Sequence, residues 1–352
     1  MMRPRTVVRS AVALAASSLV LAGCAAAPDS TSAASDYCAR MVTNSGGLED
    51  RSFNQSSWEG LEKAKSELSI DAEVIVSTNE TDLAPNVTQA VESGCQFVLT
   101  VGYELADATI AEAKANPSVH FSIVDEQVEG ENIKPIVFDT AQAAYLAGYL
   151  AAGTSTTGKV ATFGGGNQPP VTLFMDGFVD GVAKYNEVHK TTVQALGWNK
   201  QSQDGVFTGD FEDINKGKVT TQGFIDQGAD VILPVAGQVG EGAAAAALEN
   251  PNVSIIWVDN DGYDTLPATY KPIVLTSVLK NTGDAVVQIV GDDKKGSFEN
   301  TPFVGTLGNG GVALAPFHDR AASVSPALQA ELDGLKADIV AGTITVTSPS
   351  TP

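Results

Sequence analysis

Cysteine and histidine are scarce in this 352-residue chain, with three of each. His120, His189 and His318 are too scattered along the sequence for a zinc site, and no Ser-His-Asp or Cys-His set stands out for nucleophilic catalysis. The absence of any Cys-x-x-Cys pair argues against a redox motif. Basic residues are outnumbered two to one, 21 Lys and Arg against 42 Asp and Glu, for a formal net charge of −21. So acidic a surface repels nucleic acid and anionic lipid head groups, and leaves neutral ligands as the compatible class. Beyond the N-terminal region, no apolar run reaches the ~20 residues that a bilayer span requires. No internal repeat of solenoid length is visible.

The chain opens on a basic segment carrying Arg3, Arg5 and Arg9, runs through an apolar stretch over residues 11–23, and reaches Leu21-Ala22-Gly23-Cys24. That order reads as a signal peptide over residues 1–23. A cysteine directly after Leu-Ala-Gly is the pattern of a bacterial lipoprotein cleavage site. Cys24 is therefore expected to carry a lipid, with residues 24–36 as a small, polar tether. The protein is expected on the extracytoplasmic face of the cell membrane, held there by its lipid anchor alone. Two cysteines remain, Cys38 and Cys95, and a pair in an exported protein is expected to form a disulfide. Cys38 opens the first strand and Cys95 precedes the third, which are neighbours in a doubly wound sheet.

From residue 39 onward, short apolar runs alternate with helical patterns. Strands are expected over 39–43, 73–77, 97–102 and 120–125, with helices over 55–68, 82–92 and 105–116 between them. Short apolar strands separated by helices call for a parallel sheet covered on both faces. An apolar helix over 140–152 leads to a second series, with strands near 159–163, 192–196, 230–235 and 254–259. Two successive βαβ series imply an α/β protein of two Rossmann-like lobes with parallel sheets, joined by hinge crossings. The segment 273–278 and the helix after it read as a return to the first lobe. The lobes are then residues 37–138 with 279–298, and residues 139–278 with 299–352, and a ligand belongs in the cleft between them.

Two motifs invite other chemistry. Gly164-Gly165-Gly166-Asn167 follows a strand, but its spacing is not that of a dinucleotide fingerprint, and Pro169 and Pro170 spoil the helix entry that a pyrophosphate needs. The acidic run from Asp259 to Asp264 has a calcium-loop flavour without the distant bidentate Glu. No cofactor or metal is expected. What the chain offers instead is a set of polar and aromatic residues at strand ends. Asn44, Asp50, Phe53 and Asp125 belong to the first lobe, Phe211, Gly237 and Asp259 to the second, and Lys280 follows the last crossing. Each alone also suits a core ring or a helix cap. Together they favour a nucleoside-sized pocket with two aromatic faces and a carboxylate to clamp a sugar diol.

The order of motifs resembles the basic membrane protein family of substrate-binding lipoproteins. The stretches that carry the resemblance include Asp50-Arg51-Ser52-Phe53-Asn54-Gln55, Gly209-Asp210-Phe211-Glu212-Asp213, Trp257-Val258-Asp259-Asn260-Asp261 and Thr276-Ser277-Val278-Leu279-Lys280-Asn281. Nearly all of residues 38–315 take part. The resemblance implies a type I periplasmic-binding-protein fold serving an ABC transporter permease, with a nucleoside, purine by preference, as ligand. It implies that Phe53 and Phe211 stack on opposite faces of the base and that Asp125 bonds the base edge. Gly237, Asp259 and Lys280 would hold the ribose, Asn44, Asp50 and Asn54 would line the pocket, and Asp261 would join the binding set. A monomer is the expected state, and no bond is broken. The chain departs from the family at Asn44, where many relatives carry Asp, and at Asp261-Gly262, where they carry Asp-Gln. Rival readings are the same fold binding a sugar or another small polar ligand, a nucleoside hydrolase, and a surface sensor or adhesin.

Overall fold

The computed structural model describes residues 36–352. The expected signal peptide, the lipidation site Cys24 and all but the last residue of the tether lie outside the described residues.

The first lobe runs β1 (Cys38–Val42), α1 (Phe53–Leu68), β2 (Asp71–Ile75), α2 (Leu83–Glu92), β3 (Phe97–Val101), α3 (Ala106–Ala115), β4 (His120–Val124) and β5 (Ile133–Phe138). The chain then enters the second lobe through α4 (Thr140–Thr154), β6 (Lys159–Gly164), α5 (Pro169–His189), β7 (Gln194–Leu196) and a small β8 (Trp198–Asn199) to β9 (Asp204–Gly205) ribbon. It continues with α6 (Ile214–Asp226), β10 (Val231–Val235), α7 (Gly240–Leu248), β11 (Ser254–Asp259), the single turn α8 (Gly262–Thr265) and β12 (Val274–Lys280). The last elements are α9 (Thr282–Lys294), β13 (Phe303–Gly305), β14 (Val312–Leu314) and α10 (Pro326–Val340).

Two six-stranded sheets result, ordered β13-β5-β4-β3-β1-β2 and β14-β12-β11-β10-β6-β7. Every pairing is parallel except β12 with β14. β3 and β10 are buried along their whole length because helices cover both faces, which is why their sequences read as unbroken apolar runs. α4 is buried nearly all round, with Gly148 seated on the backbone oxygen of Phe178 in α5 so closely that no Cβ fits there.

Two sequence expectations need correction. The strand Val274–Lys280 does not return to the first lobe; it pairs with β11 in the second sheet, and only α9 crosses back to pack on α1. β13, assigned by sequence to the second lobe, pairs with β5 in the first. Short apolar strands carry no mark of which parallel sheet they join, so the crossings could not be placed from hydropathy. A third difference lies at Pro169 and Pro170. They open α5 rather than spoil it, as the fixed φ of proline suits a first helical turn; lacking N–H groups, they still offer no donors to an anion.

The chain passes between lobes after β5, after β12 and after β13. These passages lie side by side: Asp139 N–H donates to Gly305 O at 2.8 Å and Asn281 N–H to Gly311 O at 2.9 Å. Gly305 and Gly311 touch backbone to backbone, leaving no room for a side chain on either.

Cys38 and Cys95 are joined in a disulfide with Cα atoms 4.9 Å apart, tying the start of β1 to the approach to β3. The bridge closes a separation of 57 residues, so in the chain-entropy view its loss should cost about 4 kcal/mol. Urea denaturation of the Cys38→Ser/Cys95→Ser protein against wild type measures this, and an unchanged midpoint would show that the first lobe does not depend on the bridge.

Candidate ligand-binding cleft between the lobes

In both sheets the strand order reverses beside the first strand, between β1 and β3 and between β6 and β10. Loops leaving the carboxyl ends of those strands diverge there and open a crevice. The two crevices face each other and form one cleft lined by residues of both lobes.

The loop after β1 is organised by one buried carboxylate. Asp50 accepts from the backbone N–H groups of Ser52, Asn54 and Gln55 at 3.0, 2.7 and 3.1 Å, and from Asn54 Nδ2 at 3.1 Å. It thereby caps α1 from outside the helix and starts it at Phe53, two residues earlier than the sequence pattern indicated. Burial pushes the Asp50 carboxyl up to about 6 against the pull of those N–H donors. Asn54 passes the network on, with Nδ2 2.7 Å from Asn44 Oδ1.

At the hinge side, Lys280 ends β12 with only 4% of its side chain exposed. Its Nζ lies 2.5 Å from Asp125 Oδ2 and 3.2 Å from Asp259 Oδ1. Asp125 directly follows β4 and Asp259 ends β11, so one ammonium ties the two sheets together. Burial opposes its charge, but the two carboxylates outweigh burial and hold Lys280 above its ordinary range. Burial likewise raises Asp125, with Lys280 pulling it back. Both aspartates adopt left-handed backbone, φ +63° and +66°, a region that Asp tolerates better than most residues but at some strain. The same ammonium sits 4.7 Å above the Phe53 ring centroid, a cation–π contact.

Further bonds draw the lobes together at the cleft edge. Ser52 Oγ donates to Asp259 Oδ2 at 3.0 Å, Asn260 Nδ2 to Ser52 O at 3.2 Å, Trp257 Nε1 to Arg51 O at 3.3 Å and Thr265 Oγ1 to Arg51 O at 3.1 Å. Across the other side, Gln168 Nε2 donates to the Tyr103 hydroxyl at 2.8 Å.

Of the residues singled out from sequence, Asn44, Asp50, Phe53, Asn54, Asp125, Phe211, Gly237, Asp259 and Lys280 all line this cleft. Asp261 does not. The left-handed turn at Asp259 carries the chain away from the cleft, and Asp261 instead caps α8 through Tyr263 N–H and pairs with His318 Nε2 at 2.8 Å. Sequence patterns passed over Tyr103, Glu104, Gln168 and Phe174, which also line the cleft. A polar pair directly after the Gly102 turn that ends an apolar strand was the available signal for the first two.

A profile of the family described as PnrA-like ABC transporter substrate-binding proteins matches residues 39–347. The chain belongs to this family. It is 33% identical to the ABC transporter nucleoside-binding protein BmpA of Lactococcus lactis subsp. cremoris, an alignment covering 99% of this chain and 100% of the relative. It is 30% identical to the CD4+ T-cell-stimulating antigen of Listeria monocytogenes, over 98% and 99% of the two chains. Among solved structures, an ABC transporter solute-binding protein from Aeropyrum pernix K1 superposes with a TM-score of 0.79 at 22% identity, covering 89% of this chain and 94% of that one. A solute-binding protein from Conexibacter woesei gives 0.69 at 23% identity, over 89% and 99%. These likenesses establish the type I periplasmic-binding-protein-like fold. As a member of the PnrA-like family the protein is an ABC transporter substrate-binding protein, which takes a small ligand and works with a permease.

Two outcomes follow from the buried charges. Lys280→Met strands Asp125 and Asp259 and should lower the unfolding free energy by about 3–5 kcal/mol at pH 7, the deficit shrinking toward pH 4 as Asp125, raised by burial, protonates; urea titration at both pH values tests it. The carboxyl of Asp50 is held above its unfolded value, so the folded state binds more protons than the unfolded one between about pH 4 and 6. Its contribution to stability is therefore greatest below that window and falls as pH rises through it. Asp50→Asn should flatten this part of the stability–pH curve, and an identical slope in both proteins would show that Asp50 is not its source.

Proposed function

We propose that the protein captures a nucleoside, purine by preference, in the interlobe cleft and delivers it to an ABC permease. The observation that carries this reading is the pairing of ring and charge at the cleft. Phe53 from the first lobe and Phe211 from the second both present half-buried rings to it, and the Asp259–Lys280 pair supplies an acceptor and a donor for vicinal hydroxyls. Aromatic faces suit a flat base and the ion pair suits a ribose. The printed description of the Lactococcus relative, a nucleoside-binding protein, points the same way. Binding by lobe closure involves no bond cleavage, and we read the protein as a receptor and not an enzyme. We also infer that it is monomeric and lipid-anchored through Cys24 on the extracytoplasmic face. The Cys38–Cys95 disulfide suits that oxidising location.

Calorimetric titration of the full-length protein with adenosine, guanosine, inosine, cytidine and ribose tests the ligand class. Purine nucleosides should bind and ribose should not. Phe53→Ala and Phe211→Ala should each weaken nucleoside binding by about five- to 150-fold, since stacking on one ring is worth about 1–3 kcal/mol. Tight ribose binding that survives both substitutions would favour a sugar receptor, and release of free base from inosine would establish a hydrolase.

A further inference from the structure

The wall of the cleft built by the first lobe holds a carboxyl group for which the structure provides no complete set of partners. Glu104 lies in the turn after β3, and its Oε2 is buried without a hydrogen-bond partner. The Asn44 side chain and the Glu104 backbone N–H favour the ionised form of this carboxyl. Asn44 cannot turn round to offer anything else, because its Oδ1 already accepts from Gly46 N–H at 3.1 Å and Asn54 Nδ2 at 2.7 Å. Asn54 is fixed in the same way: its Nδ2 donates to Asn44 and Asp50, which leaves its Oδ1 buried and unpartnered beside the cleft. Two acceptors of fixed orientation thus lack donors on the same wall. Buried polar atoms are rarely left unpaired in folded proteins, so the deficit describes the ligand: it brings hydrogen-bond donors.

We propose that Glu104 reads the base, its free carboxylate oxygen accepting an N–H group of the bound nucleoside, so that the cleft selects bases carrying an amino group on that edge and the complex forms with Glu104 ionised. This inference rests on the nucleoside reading above. It predicts a proton linkage. Burial pushes the Glu104 carboxyl up to about 7; the backbone N–H and Asn44 pull it down, and the charges of Glu80 and Asp125 push it up. The adjacent Tyr103 is held above its ordinary range, chiefly by burial, and stays neutral. Near pH 7 the empty site is therefore partly protonated. An accepted N–H favours the ionised form, so binding releases a proton, and affinity rises with pH up to about 7 and levels off above it. Asp50 and Asp125 also face the cleft and are themselves raised by burial, so the comparison must be made against a variant in which Glu104 alone cannot titrate.

The experiment is calorimetric titration of the full-length protein at pH 6, 7 and 8, in two buffers of different ionisation enthalpy. The ligands are guanosine against inosine, which lacks the 2-amino group, and adenosine against purine riboside, which lacks the 6-amino group. The wild type should release about half a proton at pH 7 and prefer the amino-bearing member of one pair by at least tenfold. Glu104→Gln should bind with no such release and a flatter pH profile, and Glu104→Leu should lose the amino preference. Binding of both members of each pair equally and without proton release would overturn the assignment of Glu104 while leaving the nucleoside reading intact. Failure of every nucleoside to bind would overturn both. Should the variants not fold, the wild-type proton count and the ligand pairs decide the question on their own.

Discussion

A single buried ammonium ties the two lobes of this structure together. Lys280 stands where the chain leaves the second sheet for the first lobe, and its charge is shared between a carboxylate from each sheet. Two carboxylates brought together out of water repel, and only a cation between them makes the juxtaposition of β4 and β11 favourable. The strained backbone at both aspartates points the same way: each strand end is bent so that its side chain meets the same amine. The Ser52–Asp259 bond and the contacts of Arg51 with Trp257 and Thr265 depend on the lobes already being drawn together there.

That arrangement also sets what the cleft can do with charge. Burial pushes the Glu104 carboxyl up to about 7, so the charge of this one group on the first lobe's wall is partly masked near neutrality. Beside the hinge, Lys280 offsets one of the two carboxylates it contacts, Asp125 and Asp259. A protein with a net charge of −21 thereby presents to its ligand a polar, hydrogen-bonding interior rather than a strongly repelling one, which is the environment a neutral solute requires.

Much of this was legible from residue order. Alternating apolar strands and helices announced two parallel sheets, and Phe53, Phe211, Asp125, Asp259 and Lys280 stood at strand ends where open α/β sheets bind their ligands. What could not be read was partnership at a distance. β12 and β13 are apolar like any covered strand, and nothing in their composition says which sheet takes them. Asp261 shares a motif with Asp259, yet a single left-handed residue sends the two side chains to different places. Glu104 was missed for the opposite reason: it belongs to no recognised motif, and its significance lies in a hydrogen bond that it lacks. Asp50 was found, but its part in capping α1 depends on a loop geometry that spacing alone does not reveal.

The position of β13 bears on the order in which the protein is made. Residues 38–138 contain five of the six strands of their sheet, but the sixth, Phe303–Gly305, is synthesised only after β6, β7, β10, β11 and β12, five of the six strands of the second sheet. Until then the outer edge of β5 has no neighbour, and an uncovered strand edge invites pairing with other chains. The sheet that is begun first is thus closed only late in synthesis, and the exposed edge of β5 is the place where a chaperone has most to protect.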